Sequence, residues 1–295
     1  MRKNIVLSGG LGNQLFQFAF LHNLHAEVSS KIGIYFPHPE DGARSFNLEE
    51  LAKNCHHVGM IRNRRSFLTD SRFQCLGFIR FRFPRLYIRF FSKIDFNEEN
   101  AYSCLENLNF YSYFSGYFQN WKYVSKVIDS LETEIRPLLE KEFATLPEEL
   151  RSSLFAVLHF RRGDMTKYWE TMGILDRSYF ERVEKEAMAG IGGTIKVVVL
   201  TDDKEAALKA FPERASYIYG PDEVSEWQAL ALMSKARFVI TSNSTFSWWG
   251  GLLASRNGGT AYIPDPWFLN WSPDPKAAFA YPGFVSCRST FTPII

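Results

Sequence analysis

Two adjacent arginines, Arg161 and Arg162, close an apolar run, Leu154-Phe155-Ala156-Val157-Leu158, and are followed by Gly163 and Asp164. Arginine carries a planar fork of donors that matches phosphate oxygens in bidentate fashion. Ligands of open α/β sheets bind beyond the carboxyl ends of strands. Charge and position together predict a phosphate-bearing ligand, with Arg161 placed to neutralise charge that builds on a leaving group. His159 precedes the pair and reads as a packed or orienting group rather than a base. A structural ion pair among Arg161, Arg162 and Asp164 is the competing reading.

Three further clusters sit at similar places. Gly9-Gly10-Leu11-Gly12-Asn13-Gln14 follows Ile5-Val6-Leu7 and opens an apolar helix. Glycines let the backbone approach a ligand, and a helix N-terminus offers N–H groups to an anion. The loop lacks the Lys-Ser/Thr of a P-loop and the third glycine of the dinucleotide fingerprint. A plain tight turn competes with a binding role for Gly10, Gly12 and Asn13. Thr241-Ser242-Asn243-Ser244-Thr245 also ends a strand and opens a helix. Asn243, Ser244 and Thr245 are therefore candidates to bind phosphate rather than only to cap. The aromatics that follow, Phe246, Trp248 and Trp249, read mainly as core. Asp202 and Asp203 end another strand and could face a ribose, a base edge or a metal, or simply cap a helix. No Asp-x-Asp triplet occurs, so arginine is expected to take the place of a metal at the diphosphate. No Cys-x-x-Cys or zinc-type Cys/His spacing is seen, and the metal expectation is none.

The elements that must carry these residues read as α/β. Ile5–Leu7, the helix from Asn13 to Val28 and Ile32–Phe36 form a strand, loop, helix, strand unit. Later strands are expected at Leu154–Phe160, Ile195–Leu200, Tyr217–Tyr219, Phe238–Thr241 and Ala261–Ile263. Helices near Arg177–Ala189, Lys204–Ala210, Glu223–Lys235 and Thr245–Ala254 lie between them, as right-handed crossovers require. This pattern predicts a doubly wound nucleotide-binding domain. Tyr117 to Phe143 reads as helical, and Pro147-Glu148-Glu149 as a linker or helix start. Residues from Phe46 to Phe118 are hard to parse. Within them Arg80 to Phe91 interleaves arginine and aromatic residues. It reads as an amphipathic cover with solvated arginines, against a peripheral membrane patch or a nucleic-acid groove.

The 295 residues suffice for two modest domains, and the net charge of +2 is too small to point to nucleic acid. Cys55, Cys75, Cys104 and Cys287 are scattered and read as free thiols. The opening residues show neither a secretory signal nor a membrane span, so a cytoplasmic location is expected. Peripheral contact with the inner face of the membrane through Arg80–Phe91 is the variant of that expectation.

Taken together, the motifs resemble glycosyltransferase family 11, the α-1,2-fucosyltransferases. The family's Gly-x-Leu-Gly-Asn-Gln-x-Phe-Gln-Tyr-Ala stands here as Gly10 to Ala19, with Phe18 for the tyrosine. Its His-x-Arg-Arg-Gly-Asp is His159 to Asp164. Its Asn-Ser-Thr-Phe-Ser-Trp-Trp is Asn243 to Trp249, and Pro264 to Phe268 is similar to its Pro-x-x-Trp-Phe. The resemblance implies a GT-B architecture, two Rossmann-like domains facing across a cleft. The expected domains are 1–148 on the acceptor side and 149–295 for the GDP-sugar, with the C-terminal tail able to pack back on the first. GDP-β-L-fucose is implied as donor and a galactose-terminated glycan as acceptor, with inversion at the anomeric carbon and no metal. Arg161 would contact the β-phosphate and Asn13 would lie near donor and acceptor. Ser244 and Thr245 would hold the diphosphate, and Asp202 or Asp203 would sit near the nucleoside. Asp164 and Glu170 are the candidates for general base. A transferase using another GDP-sugar, a Rossmann oxidoreductase and a non-catalytic sugar-nucleotide binder are the alternatives.

Overall fold

The computed structural model describes residues 3–36, 46–63, 91–94, 113–151, 153–193, 195–271 and 276–292. The backbone of Asp164 is among these but its side chain is not. Cys75, Cys104 and the Arg80–Phe91 segment, apart from the backbone of Phe91, lie outside the described residues. The chain forms two compact units, Met1–Ile135 and Arg136–Ile295. The expected boundary, after residue 148, stands further along the chain.

The first unit holds a parallel sheet with strand order β3-β2-β1-β5-β4. These strands are β1 (Asn4–Val6), β2 (Ile32–Phe36), β3 (Val58–Asn63), β4 (Phe91–Ile94) and β5 (Tyr113–Gly116). Helix α1 (Leu11–Val28) follows β1, and every residue from Gln14 to Leu24 is buried. It is apolar on most faces because it has no solvent side in that stretch. Helix α2 (Glu49–Asn54) lies between β2 and β3. The stretch from Tyr117 to Phe143, expected to be helical, holds two helices, α3 (Trp121–Ser125) and α4 (Ile128–Ala144). Phe118 takes a positive φ of 52°, which no helical run tolerates. Asn120 then caps α3, its side chain accepting from the Lys122 amide at 2.9 Å. Strand β5 lies just upstream, in the stretch whose sequence shows no clear pattern.

The second unit follows the short helix α5 (Glu148–Arg151) with a six-stranded, wholly parallel sheet. Its strands are β6 (Phe155–Phe160), β7 (Lys196–Thr201), β8 (Ile218–Tyr219), β9 (Phe238–Ile240), β10 (Thr260–Asp265) and β11 (Phe284–Arg288). Five match the expected strands. The sixth, β11, carries no strand signal of its own because it is a half-exposed edge with no continuous apolar run. The order β11-β10-β9-β6-β7-β8 is the doubly wound order, with β6 as the first strand and β9 as the fourth. All six residues of β6 are buried, as a strand covered on both faces requires.

Helices α6 (Trp169–Met172), α7 (Arg177–Met188), α8 (Lys204–Ala210), α9 (Glu226–Lys235) and α10 (Thr245–Arg256) lie between the strands and divide between the two faces of the sheet. Ala156, Leu158 and Phe160 join Val199 and Ile240 in one core with Tyr179, Phe180 and Val183 of α7. The alternate residue His159 points the other way, toward α10, where it meets Phe246. Caps set the helix starts: Asp176 accepts from the Tyr179 amide at 2.9 Å, and Ser225 with Gln228 forms a capping box. The sequence expectation allows the C-terminal tail to pack on the first domain. The described tail pairs within the second unit, where Phe291 bridges Leu175 and the Thr292 amide reaches Ile174 O at 2.7 Å.

Candidate active site

In a doubly wound sheet the ligand crevice opens where the strand order reverses, between the first strand and the fourth. Here that point lies between β6 and β9. Arg161 follows β6 and Ser242-Asn243-Ser244 follows β9, so the two motifs meet although 83 residues separate Arg161 from Ser244. The Arg161 guanidinium donates through Nη1 to Ser244 Oγ at 3.2 Å. Its Nε stands 3.9 Å from Asp202 Oδ2 at the end of β7. The Arg161 side chain is 19% exposed, so it is largely desolvated yet still reachable.

The neighbouring arginine is used differently. The Arg162 guanidinium lies 3.7 Å from the centre of the Phe160 ring and donates to Arg161 O at 2.9 Å. Burial lowers its pKa to about 10, offset by the negative charges of Asp202, Asp176 and Asp203. It remains a cation at neutral pH, stacked into the protein wall. The Arg162 amide donates to Asp202 Oδ1 at 2.7 Å. Gly163 explains how this carboxylate fits, because a Cβ there would sit 2.4 Å from Asp202 Oδ2. Asp202 thus braces both arginines. Its neighbour Asp203 is a helix cap, accepting from the Ala206 amide at 2.9 Å.

His159 is buried, and its Nδ1 lies 2.9 Å from Ser242 Oγ. Burial, with the Arg161 charge as second cause, lowers its pKa to about 3. A neutral imidazole there holds the serine of the β9 loop in place. Asn243 is buried and pins the turn after α6, donating to Met172 O at 2.9 Å and Gly173 O at 3.2 Å. Ser244 is the N-cap residue of α10, but its side chain makes no cap hydrogen bond; it accepts from Arg161 instead. Thr245 begins the helix, and no acidic residue stands in its first turn. That leaves the positive end of the α10 dipole beside Arg161. Trp248 and Trp249 are fully buried core, as expected, and Trp248 Nε1 donates to Phe279 O at 2.9 Å. Asp164 enters the 3₁₀ turn Gly163–Tyr168, and Glu170 stands exposed on α6.

The first unit repeats the device. Its strand order reverses between β1 and β5, and the Gly9–Asn13 loop leaves β1 there. Gln14 Nε2 donates to Gly9 O at 2.8 Å and its Oε1 accepts from the Asn47 amide at 3.0 Å. Gln17 ties the same loop to β5, accepting from the Ser8 amide at 2.9 Å and donating to Gly116 O at 2.8 Å. Gly9 has φ of +78°, and a Cβ there would lie 2.4 Å from Asn13 Nδ2. Gly10 is the cap residue of α1, and Gly12 is buried in its first turn. The first turn of α1 therefore presents Asn13, whose Oδ1 accepts from Gln119 Nε2 at 2.7 Å. Gln119 and Ser242 are positioning residues that motif reading does not single out. Ser242 stands inside a motif, whereas Gln119 falls in the loop after β5, where the sequence pattern predicts helix.

Comparison with known proteins identifies the family. The model of glycosyl transferase family 11 matches residues 81–275, about two thirds of the chain. The chain belongs to glycosyltransferase family 11. Family membership makes it a glycosyltransferase and sets aside the oxidoreductase and non-catalytic readings. Two Escherichia coli proteins are similar over most of their lengths. The O-antigen biosynthesis glycosyltransferase WbnK is 27% identical, over 89% of this chain and 93% of its own. An alpha-1,2-colitosyltransferase is 26% identical, over 89% and 91%. Among solved structures, the Escherichia coli ADP-heptose heptosyltransferase II superposes with a TM-score of 0.52 at 11% identity, covering 98% of this chain and 90% of that one. The NodZ alpha-1,6-fucosyltransferase soaked with GDP-fucose gives 0.50 at 14% identity, covering 86% and 93%. The family 11 chain thus has the GT-B fold, with a parallel α/β unit in each half.

Proposed function

We propose that this family 11 enzyme transfers L-fucose from GDP-β-L-fucose to the 2-hydroxyl of a terminal galactose in a bacterial surface glycan, with inversion. The observation that carries this reading is the Arg161–Ser244 pair at the start of α10, a desolvated cation beside a helix N-terminus at the crevice of a doubly wound sheet. Such a place suits a diphosphate leaving group. The relatives supply the rest of the support: one acts in O-antigen biosynthesis, one is an alpha-1,2-colitosyltransferase, and a structural neighbour was soaked with GDP-fucose.

In the proposed reaction the acceptor 2-oxygen forms a bond to fucose C1 as the bond from C1 to the β-phosphate oxygen breaks. Negative charge grows on the departing GDP, and the Arg161 fork and the α10 terminus meet it. Charge stabilisation by Arg161 makes a metal at the diphosphate unnecessary. The hydroxyl proton passes to a carboxylate, Asp164 or Glu170. Asn13, held by Gln119, orients the sugar. Ser244 and Thr245 bind the diphosphate, and Gly10, Gly12, His159, Asp202 and Asn243 shape the surrounding loops. We place the enzyme in the cytoplasm, where nucleotide sugars are made. No described helix is long and apolar enough to cross a membrane.

A second reading, a GDP-sugar that carries colitose in place of fucose, is favoured by the colitosyltransferase relative. GDP release should be measured with a panel of GDP-sugars and β-galactosides, with and without added Mg²⁺ after brief EDTA treatment. The fucose reading expects turnover with GDP-fucose independent of Mg²⁺. Turnover confined to another GDP-sugar overturns the donor, and a strict Mg²⁺ requirement overturns the role given to arginine.

A further inference from the structure

The first unit gathers four metal-ligand side chains from three separate parts of the chain. His22 comes from the middle of α1, Cys55 and His57 from the turn between α2 and β3, and Glu134 from α4. Cys55 Sγ lies 4.0 Å from His22 Nε2. His22 Nε2 lies 3.5 Å from Glu134 Oε2, and His57 Nε2 lies 4.0 Å from Glu134 Oε1. One donor atom from each of the four residues falls within 4.8 Å of all the others. Tetrahedral zinc, with bonds of ~2.0–2.3 Å, holds its donors roughly 3.3–3.8 Å apart. Small rotamer changes close that difference.

One hydrogen bond, between Cys55 Sγ and His22 Nε2, links two of the four, and other polar atoms of the cluster are left for an ion. His22 and Cys55 are buried, and the His57 and Glu134 side chains are 15% and 21% exposed. His57 Nδ1 and Glu134 Oε2 are buried and without a hydrogen bond, the carboxylate oxygen facing the His22 ring at 3.5 Å. Buried polar atoms are seldom left so. The backbone of the turn is already fixed: the Cys55 amide reaches Leu51 O at 3.0 Å, the Val58 amide reaches Cys55 O at 3.1 Å, and His57 O accepts from the Ile32 amide at 2.8 Å. The rings of His25 and His56 lie against His57, at 4.0 and 3.9 Å between centres. Four of the chain's six histidines therefore meet at one place.

We infer that His22, Cys55, His57 and Glu134 form a structural site for one divalent transition metal of the zinc class. Two imidazoles, a thiolate and a carboxylate are a borderline-soft set that suits Zn²⁺ and rejects Mg²⁺. Four protein ligands close the coordination sphere, so the ion is structural rather than catalytic. Cys55 binds as the thiolate and its proton leaves to solvent. The ion ties α1, the α2–β3 turn and α4 together, and so steadies the helix whose first turn carries Asn13. This is a different site from the metal-free diphosphate anchor, and either inference can fail without the other.

The test is a Co²⁺ titration of the full chain after dialysis against a strong chelator. Expected are the visible ligand-field bands of tetrahedral Co²⁺ and a near-ultraviolet thiolate charge-transfer band. Both should saturate at about one equivalent, vanish on adding Zn²⁺ and persist in excess Mg²⁺. Cys55→Ser should lose the charge-transfer band. Glu134→Gln, at the most exposed ligand, should keep the fold and bind Co²⁺ roughly tenfold or more weakly. Absence of a tetrahedral Co²⁺ spectrum in the wild-type chain overturns the inference. So does an unchanged Co²⁺ affinity in Glu134→Gln, which keeps the test decisive if Cys55→Ser fails to fold.

Discussion

At the scale of single residues, two adjacent arginines have been given unlike tasks by their partners. Arg162 is stacked on Phe160 and turned back on the chain, while Arg161 reaches across to Ser244. Arg161→Lys keeps a charge but loses the planar fork. Turnover should fall roughly 10²–10³-fold, with the unfolding midpoint little changed. A steady-state assay showing less than a tenfold loss would remove Arg161 from its place at the leaving group. His159 carries a prediction of its own. Its pKa is lowered from 6.5 to about 3 by burial, so the folded chain refuses a proton that the unfolded chain accepts. Between those values the unfolded state binds more protons, and stability rises with pH. The contribution of His159 is whole above pH 6.5 and is lost as pH falls toward 3, at up to ~1.4 kcal/mol per pH unit. Urea unfolding of His159→Gln across this window should show a shallower loss than wild type. Parallel slopes would mean that the imidazole is not the titrating group.

Among the elements, the packing of α10 decides where Ser244 and Thr245 stand. A Cβ on Gly251 would meet Ala261 Cβ in β10 at 2.9 Å and Thr241 Cγ2, just after β9, at 3.3 Å. Alanine is favoured over glycine in an open helix by ~1 kcal/mol. Here the clash should win and push α10 from the sheet, so that Gly251→Ala destabilises by ~1–3 kcal/mol and weakens GDP binding. Gly190→Ala, where the added Cβ meets nothing within 4 Å, should leave both nearly unchanged. Thermal melts and GDP calorimetry on the two variants make the comparison. Equal behaviour would show that close helix-to-sheet contact is not what seats the α10 terminus.

For the whole molecule, each unit presents its motif at the reversal point of its own parallel sheet: Asn13 between β1 and β5, Arg161 between β6 and β9. The function proposed above puts the nucleotide half of the donor on the second unit. Hydrogen exchange with GDP alone should therefore slow amides at 160–166 and 242–248 and leave those at 48–60 unchanged. Protection centred on 48–60 would move the nucleotide to the other unit.

Much of this was legible in the sequence. Short apolar strands of the second unit, their helical crossovers and the three ligand motifs follow from local pattern, because periodicity and strand-end chemistry are local properties. The family was legible too, since its motifs are contiguous. Edge strand β11 and strand β5 were not, because each depends on a neighbour in the sheet rather than on its own apolarity. Nor was the split between Arg161 and Arg162, or the task of Asp202, which arises from a carboxylate 40 residues away. The His22–Cys55–His57–Glu134 cluster lay furthest from reach. Its members are spread over more than a hundred residues with no ligand spacing, and only the packing of α1, the α2–β3 turn and α4 brings them together. Residue types and short-range order thus came from the sequence, whereas the pairing of distant polar atoms, which fixes charge and coordination, was decided only by the tertiary fold.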